Sequence, residues 1–227
     1  MLNSTTDLEL VPTAGPNGSM IAVARTDSGV VLIDLGWFGA ESALRAALAR
    51  SNADSSDVVA VFLTHAHRDH IAAWPVVRHA RFYLAEREVA LLEGSASYKA
   101  WVVRTADQLV TPARPERGAL HVRPFAQDTM VVFGRDTLRV FLLPGHTPGS
   151  AAYLFRGTLF AGDAVSRRLI RGPGAASRIY SDDVQEARRT LADLLVRARA
   201  YGVDRVCTAH AQCRSFNSER IQALTQR

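Results

Sequence analysis

The chain has 227 residues, 48% hydrophobic and 22% charged, with a net charge of +5 at pH 7. This describes a soluble globular protein with a sizeable core and excludes a largely disordered chain. No apolar run nears the roughly 20 residues of a membrane span. The charge says little about partners, because Lys99 is the single lysine among 27 basic residues, and an arginine bias of that kind fits a GC-rich coding sequence as well as a polyanion.

No linker-like tract divides the chain, so one domain over 1–227 is expected. The start, Met1 to Asp7, has neither a basic n-region nor an apolar h-region, which predicts a cytoplasmic protein with no membrane partner. Cys207 and Cys213 suit a reducing compartment, the first as a core residue and the second as a surface thiol.

In chain order, Leu8 to Val11 and Met20 to Arg25 read as a hairpin around Gly15-Pro16-Asn17-Gly18, and Val30 to Asp34 as the next strand. Gly36-Trp37-Phe38-Gly39 is a turn with two large aromatics, either a wall of a substrate pocket or packing onto the core. Glu41 to Arg50 has apolar residues at helical spacing and an acidic first turn. Val58 to Leu63 reads as a strand buried on both faces, although periodicity alone leaves a helix open. Ile71 to Val77 should begin a helix interrupted by Pro75. A short strand at Arg81 to Leu84 follows, then a helix from Glu86 to Glu93 that ends at Gly94.

Between Ser95 and Glu116 the periodicity fades, as in a lid or a surface connection. Leu120 to Phe125, Met130 to Phe133 and Leu138 to Leu143 form a second run of strands, followed by a hairpin of Ala151 to Phe155 and Thr158 to Ala161. Ser166 to Gly174 reads first as a solvated basic loop, in which Arg167 and Arg168 are alternatively candidates to receive a substrate anion. Val184 to Tyr201 is an amphipathic helix with Ser181 or Asp182 as cap and Gly202 as stop. Val203 to Thr208 is the last strand, and a short helix closes the chain.

The densest chemistry is Thr64-His65-Ala66-His67-Arg68-Asp69-His70, directly after the strand at Val58. His65 and His67, two apart in an extended segment, point the same way and can grip one ion; Asp69 and His70 offer an oxygen and a nitrogen as the chain turns. His79 and His121 stand apart from this pattern.

His-x-His-x-Asp-His resembles the signature of the metallo-β-lactamase superfamily. Later segments are similar to its remaining motifs in order: Pro144 to Ser150 with His146, Leu159 to Asp163 with Asp163, and Val206 to His210 with His210. Val31 to Gly36 matches an early strand whose aspartate, here Asp34, supports the metal loops. The resemblance implies an α/β, four-layer αββα sandwich of two mixed sheets flanked by helices. It also implies two divalent ions, zinc before iron or manganese, with His65, His67 and His146 on one, Asp69, His70 and His210 on the other, and Asp163 bridging.

The activity implied is that of a hydrolase in which a hydroxide shared by the ions, with Asp69 as the catalytic side chain beside it, attacks a small-molecule ester, thioester or lactone. An aspartate rather than a cysteine at position 163 places the chain nearer the glyoxalase II and lactonase branches than the cysteine-ligand β-lactamases. A β-lactam hydrolase is the main alternative, and an iron-dependent sulfur dioxygenase or a phosphodiesterase lies further off. No dedicated nucleic-acid feature is evident, and the sequence leaves the oligomeric state open.

Overall fold

The computed structural model describes residues 8–14, 18–109, 114–168, 172–210 and 213–225. Strands β1 (Leu8–Pro12), β2 (Met20–Thr26), β3 (Gly29–Ile33), β4 (Val58–Phe62), β5 (Arg81–Ala85) and β6 (His121–Phe125) form one six-stranded sheet in chain order. Its first two pairings are antiparallel and its last three parallel. A second six-stranded sheet has β7 (Thr129–Phe133), β8 (Asp136–Leu142), β9 (Ala151–Phe155), β10 (Thr158–Phe160), β13 (Arg205–Cys207) and β14 (Arg214–Ser215), with β10 and β13 parallel. A separate hairpin joins β11 (Val165–Arg168) to β12 (Gly172–Ala175).

Side-chain alternation along the strands builds three apolar layers. In β3, Val30 and Leu32 face α1 (Ala40–Arg50) and α2 (Glu86–Leu92), joining Leu44, Leu48 and Leu91. Val31 and Ile33 point the other way and meet Phe133, Val140 and Tyr153 of the second sheet. The outer face of that sheet packs Leu154, Leu159 and Val206 against Leu191, Leu194 and Leu195 of α4 (Val184–Ala198). The result is the expected four-layer sandwich of two mixed sheets. At its centre Phe62 stacks on Tyr83 at 4.6 Å and meets Tyr153 edge-on at 5.3 Å.

Four local expectations are corrected. Ile71 to Val77 forms no α-helix; short 3-10 turns occupy Arg68–His70 and Trp74–Val77. The N–H groups of Ala72 and Ala73 donate to the carbonyls of Gly36 and Leu35 rather than to a preceding helical turn, and Pro75 has no N–H to offer. The segment read as aperiodic contains α3 (Trp101–Leu109); Val102, Val103 and Thr105 are β-branched and weaken its helical signature. The cap of α4 is Asp183, whose carboxylate accepts from the N–H groups of Gln185 and Glu186 at 3.0 and 2.9 Å. Finally, Cys207 and Cys213 are not free thiols but form a disulfide. α4 ends at Ala198, short of the expected Tyr201; a 3-10 turn over Arg199–Tyr201 continues it, and Gly202, at φ 66°, stops that turn. The last helix, α5 (Glu219–Gln222), is a single turn.

Candidate metal centre

Each proposed ligand leaves the end of a strand on the same edge of the sandwich. His65, His67, Asp69 and His70 follow β4 of the first sheet, while His146, Asp163 and His210 follow β8, β10 and β13 of the second. Ligand atoms of His65, His67, His146 and Asp163 lie within 4.8 Å of one another, as do those of Asp69, His70, Asp163 and His210. Asp163 belongs to both groups. Each half therefore draws two side chains from each sheet.

The hydrogen bonds beneath the rings aim them. Asp34, directly after β3, takes a left-handed conformation, φ 55°, which a short polar side chain tolerates better than most. Its carboxylate accepts from the N–H of Thr64 at 2.8 Å and from Thr64 Oγ1, and receives His70 Nδ1 at 2.9 Å. Thr64 Oγ1 also lies 3.1 Å from His65 Nδ1, and Ser181 Oγ 3.1 Å from His146 Nδ1. With Nδ1 of these three rings engaged outward, Nε2 of each is turned inward. The stretch expected to cap α4 is thus spent on the centre.

Backbone contacts lock the loops together. His146 and Gly145 accept from the N–H groups of Asp182 and Asp183 at 3.0 and 2.8 Å. Gly145 has φ 129°, and a Cβ there would meet the backbone nitrogen of Ala187 at 2.1 Å, so only glycine lets α4 approach this closely. Glu88 is fully buried and accepts from the N–H groups of Ala66 and Gly149 and the hydroxyl of Thr147. Tyr98 is buried against His67 with ring centroids 4.6 Å apart. Arg114 donates to the carbonyl of Ala66 at 2.9 Å. The 95–116 segment is therefore anchored on the ligand loop at both ends, and the N–H of Ala100 donates to Asp182 in between.

The electrostatics differ between the halves. Burial, reinforced by the neighbouring rings, holds His65 and His67 well below the usual histidine range, and burial also lowers His146. Burial opposes charge on His70, but Asp34 and Asp69 outweigh it and push its pKa up to about 9. Asp163 and Asp69 similarly override burial at His210 and raise it to about 11. Against their own burial, Asp69 is drawn down to about 2 by His70 and the hydrogen bond to His210, and Asp163 is lowered by His210 and His70. One half is a nest of neutral nitrogens and the other a set of charged pairs.

Divalent cations fit this arrangement. His146 Nε2 lies 3.2 Å from both His65 Nε2 and His67 Nδ1, a convergence of nitrogens that a shared cation satisfies. His70 Nε2 and Asp163 Oδ1 are buried without a hydrogen-bond partner among the described residues and stand 3.8 Å apart. The mixture of imidazole and carboxylate suits zinc, iron or manganese.

The other candidates are placed less directly. Trp37 and Phe38 stack at 4.6 Å in a loop tied to the centre, where the N–H of Leu35 donates to the carbonyl of His70 at 2.7 Å. Phe38 is exposed. The backbones of Arg167 and Arg168 lie on β11; their side chains, and all of Arg171, fall outside the described residues. His79 and His121 are exposed and remote from the ligand set. Glu88, Ser181, Tyr98 and Arg114 were not anticipated. Ser181 was visible only as a candidate cap of α4, and no signal in the sequence pointed to Glu88.

Residues 14–210 match the family model of the metallo-beta-lactamase superfamily. The uncharacterized protein YobT of Bacillus subtilis (strain 168) is 32% identical over 117 residues, 48% of this chain and 46% of that protein, so the chain spans about half the length of that relative. A probable metallo-hydrolase of Streptococcus pyogenes serotype M6 is 27% identical over 181 residues, 77% of this chain and 74% of the other. Among solved structures, the metallo-beta-lactamase family protein TTHA1429 from Thermus thermophilus superposes with a TM-score of 0.71 at 22% identity, covering 96% of this chain and 78% of that one. TTHA1623, solved in a di-iron-bound form, gives 0.67 at 28% identity, covering 94% and 96%. With the motif order, the four-layer sandwich and a family match over most of its length in agreement, the chain belongs to the metallo-beta-lactamase superfamily.

Proposed function

We propose that this metallo-hydrolase is dinuclear and acts on a carboxylic ester, thioester or lactone of a small molecule. The observation that carries the reading is the place of Asp163 in both ligand groups, which would set two ions close enough to share a water. Bound there, divalent ions supply Lewis acidity and bring the pKa of a water to roughly 7, so that a nucleophile is available at neutral pH.

The chain does the rest. Asp69 is 21% exposed whereas His70 beside it is fully buried, so substrate approaches over Asp69. Its carboxylate, ionised and 3.2 Å from His210 Nε2, would accept a hydrogen bond from the attacking water and so orient it. His65, His67 and His146 form the buried floor. Trp37 and Phe38 stand as the apolar wall for the acyl group, and Arg167 and Arg168 remain candidates for a substrate anion. Asp163, in place of a cysteine, favours these carbonyl substrates over β-lactams.

Zinc is our preferred occupant on ligand chemistry, and the di-iron form of TTHA1623 supports iron as the next. For location the sequence favours the cytoplasm. No helix among the described residues is long and apolar enough to cross a membrane, and the disulfide weighs toward an oxidising compartment.

The test is metal analysis of zinc- and iron-loaded protein followed by a chelator-controlled panel of an acyl thioester, an acyl-homoserine lactone, an aryl ester, a carbapenem and an aryl phosphodiester. About two ions per chain and preference for one of the first three substrates is the expected outcome. Selective carbapenem opening would replace the reading with a β-lactamase, and a flat panel with oxygen uptake on a persulfide would replace it with a dioxygenase. His67→Ala and Asp163→Ala should each abolish turnover, and retained turnover in both would refute a metal-dependent reaction at this centre.

A further inference from the structure

The two halves of the centre rest on two different buried carboxylates. Asp34 holds Thr64 and His70, as described. Glu88, the third residue of α2, makes a separate set of contacts. Its Oε2 accepts from the N–H of Ala66 at 2.8 Å, and its Oε1 accepts from Thr147 Oγ1 at 2.7 Å and the N–H of Gly149 at 2.9 Å. Ala66 lies between His65 and His67, and Thr147 directly follows His146. A single carboxylate thus ties together the two loops that carry three of the four donors of the first half.

The packing around Glu88 allows it little freedom. A Cβ on Gly149 would meet Glu88 Cγ at 2.9 Å and Ala85 Cβ at 3.1 Å, so α2 presses directly on the loop of His146. A wholly buried acid is costly unless its oxygens are satisfied, and here all three donors come from the ligand loops. An apolar residue could fill the same volume in α2 but could not pull Ala66 and Thr147 toward each other.

We infer that Glu88 is a positioning residue for the half formed by His65, His67, His146 and Asp163, whereas Asp34 contacts His70 of the other half directly and reaches His65 only through Thr64. This rests on the reading of those residues as metal ligands. Glu88 does not touch the reacting atoms. Its removal should therefore act on the binding of one ion and not of both.

The experiment is a zinc and a cobalt(II) titration of wild-type, Glu88→Gln and Asp34→Asn proteins, with melting curves of each metal-free form. In Glu88→Gln one ion should bind at wild-type affinity and the other about ten-fold or more weakly, and Asp34→Asn should weaken chiefly the opposite ion, as seen in a different cobalt spectrum of the singly loaded form. Glu88→Asp, which keeps the charge on a shorter arm, should recover part of the loss. If Glu88→Gln fails to fold, the isosteric Thr147→Val removes one of the three donors and should weaken the same ion. Two ions at wild-type affinity in the variant that folds, or both weakened equally, would overturn the assignment while the dinuclear reading stands. Wild-type protein that takes up no ion would overturn both.

Discussion

Thr64 Oγ1 has one proton and, within 3.3 Å, both oxygens of Asp34 and the Nδ1 atoms of His65 and His70. A carboxylate can only accept, so the hydroxyl proton goes to Asp34, and His65 must donate to the hydroxyl oxygen. One threonine therefore sets the tautomer of His65 and supports the ring of His70. Thr64→Val, nearly isosteric, should reduce affinity for both ions by about ten- to a hundred-fold; equilibrium dialysis against a chelator measures it. The seven candidate ligands that the fold gathers were legible as residues, since their types and order are written in the sequence, but the supporting roles of Thr64 and Glu88 were not. A threonine before a histidine or a glutamate in a short helix looks the same whether it faces water or a ligand, and burial is decided by distant parts of the chain.

At the scale of elements, strands built on β-branched and apolar runs were read, whereas the β11–β12 hairpin and the two-residue β14, which lack such runs, were not. Helices were read well where the apolar stripe is long, as in α4, and missed where it is short and β-branched, as in α3. The disulfide was equally invisible: six residues of separation between Cys207 and Cys213 do not by themselves distinguish a pair from two thiols. Its loop encloses Thr208, Ala209 and His210, and the carbonyl of Ala209 receives the N–H of Met20 at 2.9 Å. Closing so small a loop is worth about 2 kcal/mol through the unfolded chain. Cys213→Ser should lower stability by about that amount, and a reductant should do the same to the wild type and nothing to the variant, by denaturant melts.

For the whole molecule, the four layers depend on the contact between sheets, and Phe62 and Tyr153 are at its middle. Tyr153 is fully buried, and its hydroxyl donates to the carbonyl of Leu63 at 2.6 Å, one residue before the ligand loop begins. Tyr153→Phe leaves that carbonyl without its donor and should cost about 1–3 kcal/mol. Phe62→Ala opens a cavity between the sheets and should cost about 3–5 kcal/mol. Urea titrations separate the two. This architecture was legible chiefly through the ordered motifs, which imply a known scaffold; the alternation of β3 between two cores needed the structure to be seen.

The two-and-two division of each half between the sheets also has a kinetic side. Neither sheet alone completes either four-residue group, so the centre can form only after the sheets have docked, and an ion within it must be released, or its ligands broken, before they part. Added metal should therefore slow unfolding in denaturant several-fold while leaving the refolding rate unchanged, because its contacts are absent from a transition state that precedes docking. In stopped-flow experiments, only the unfolding arm of the chevron should move with metal concentration.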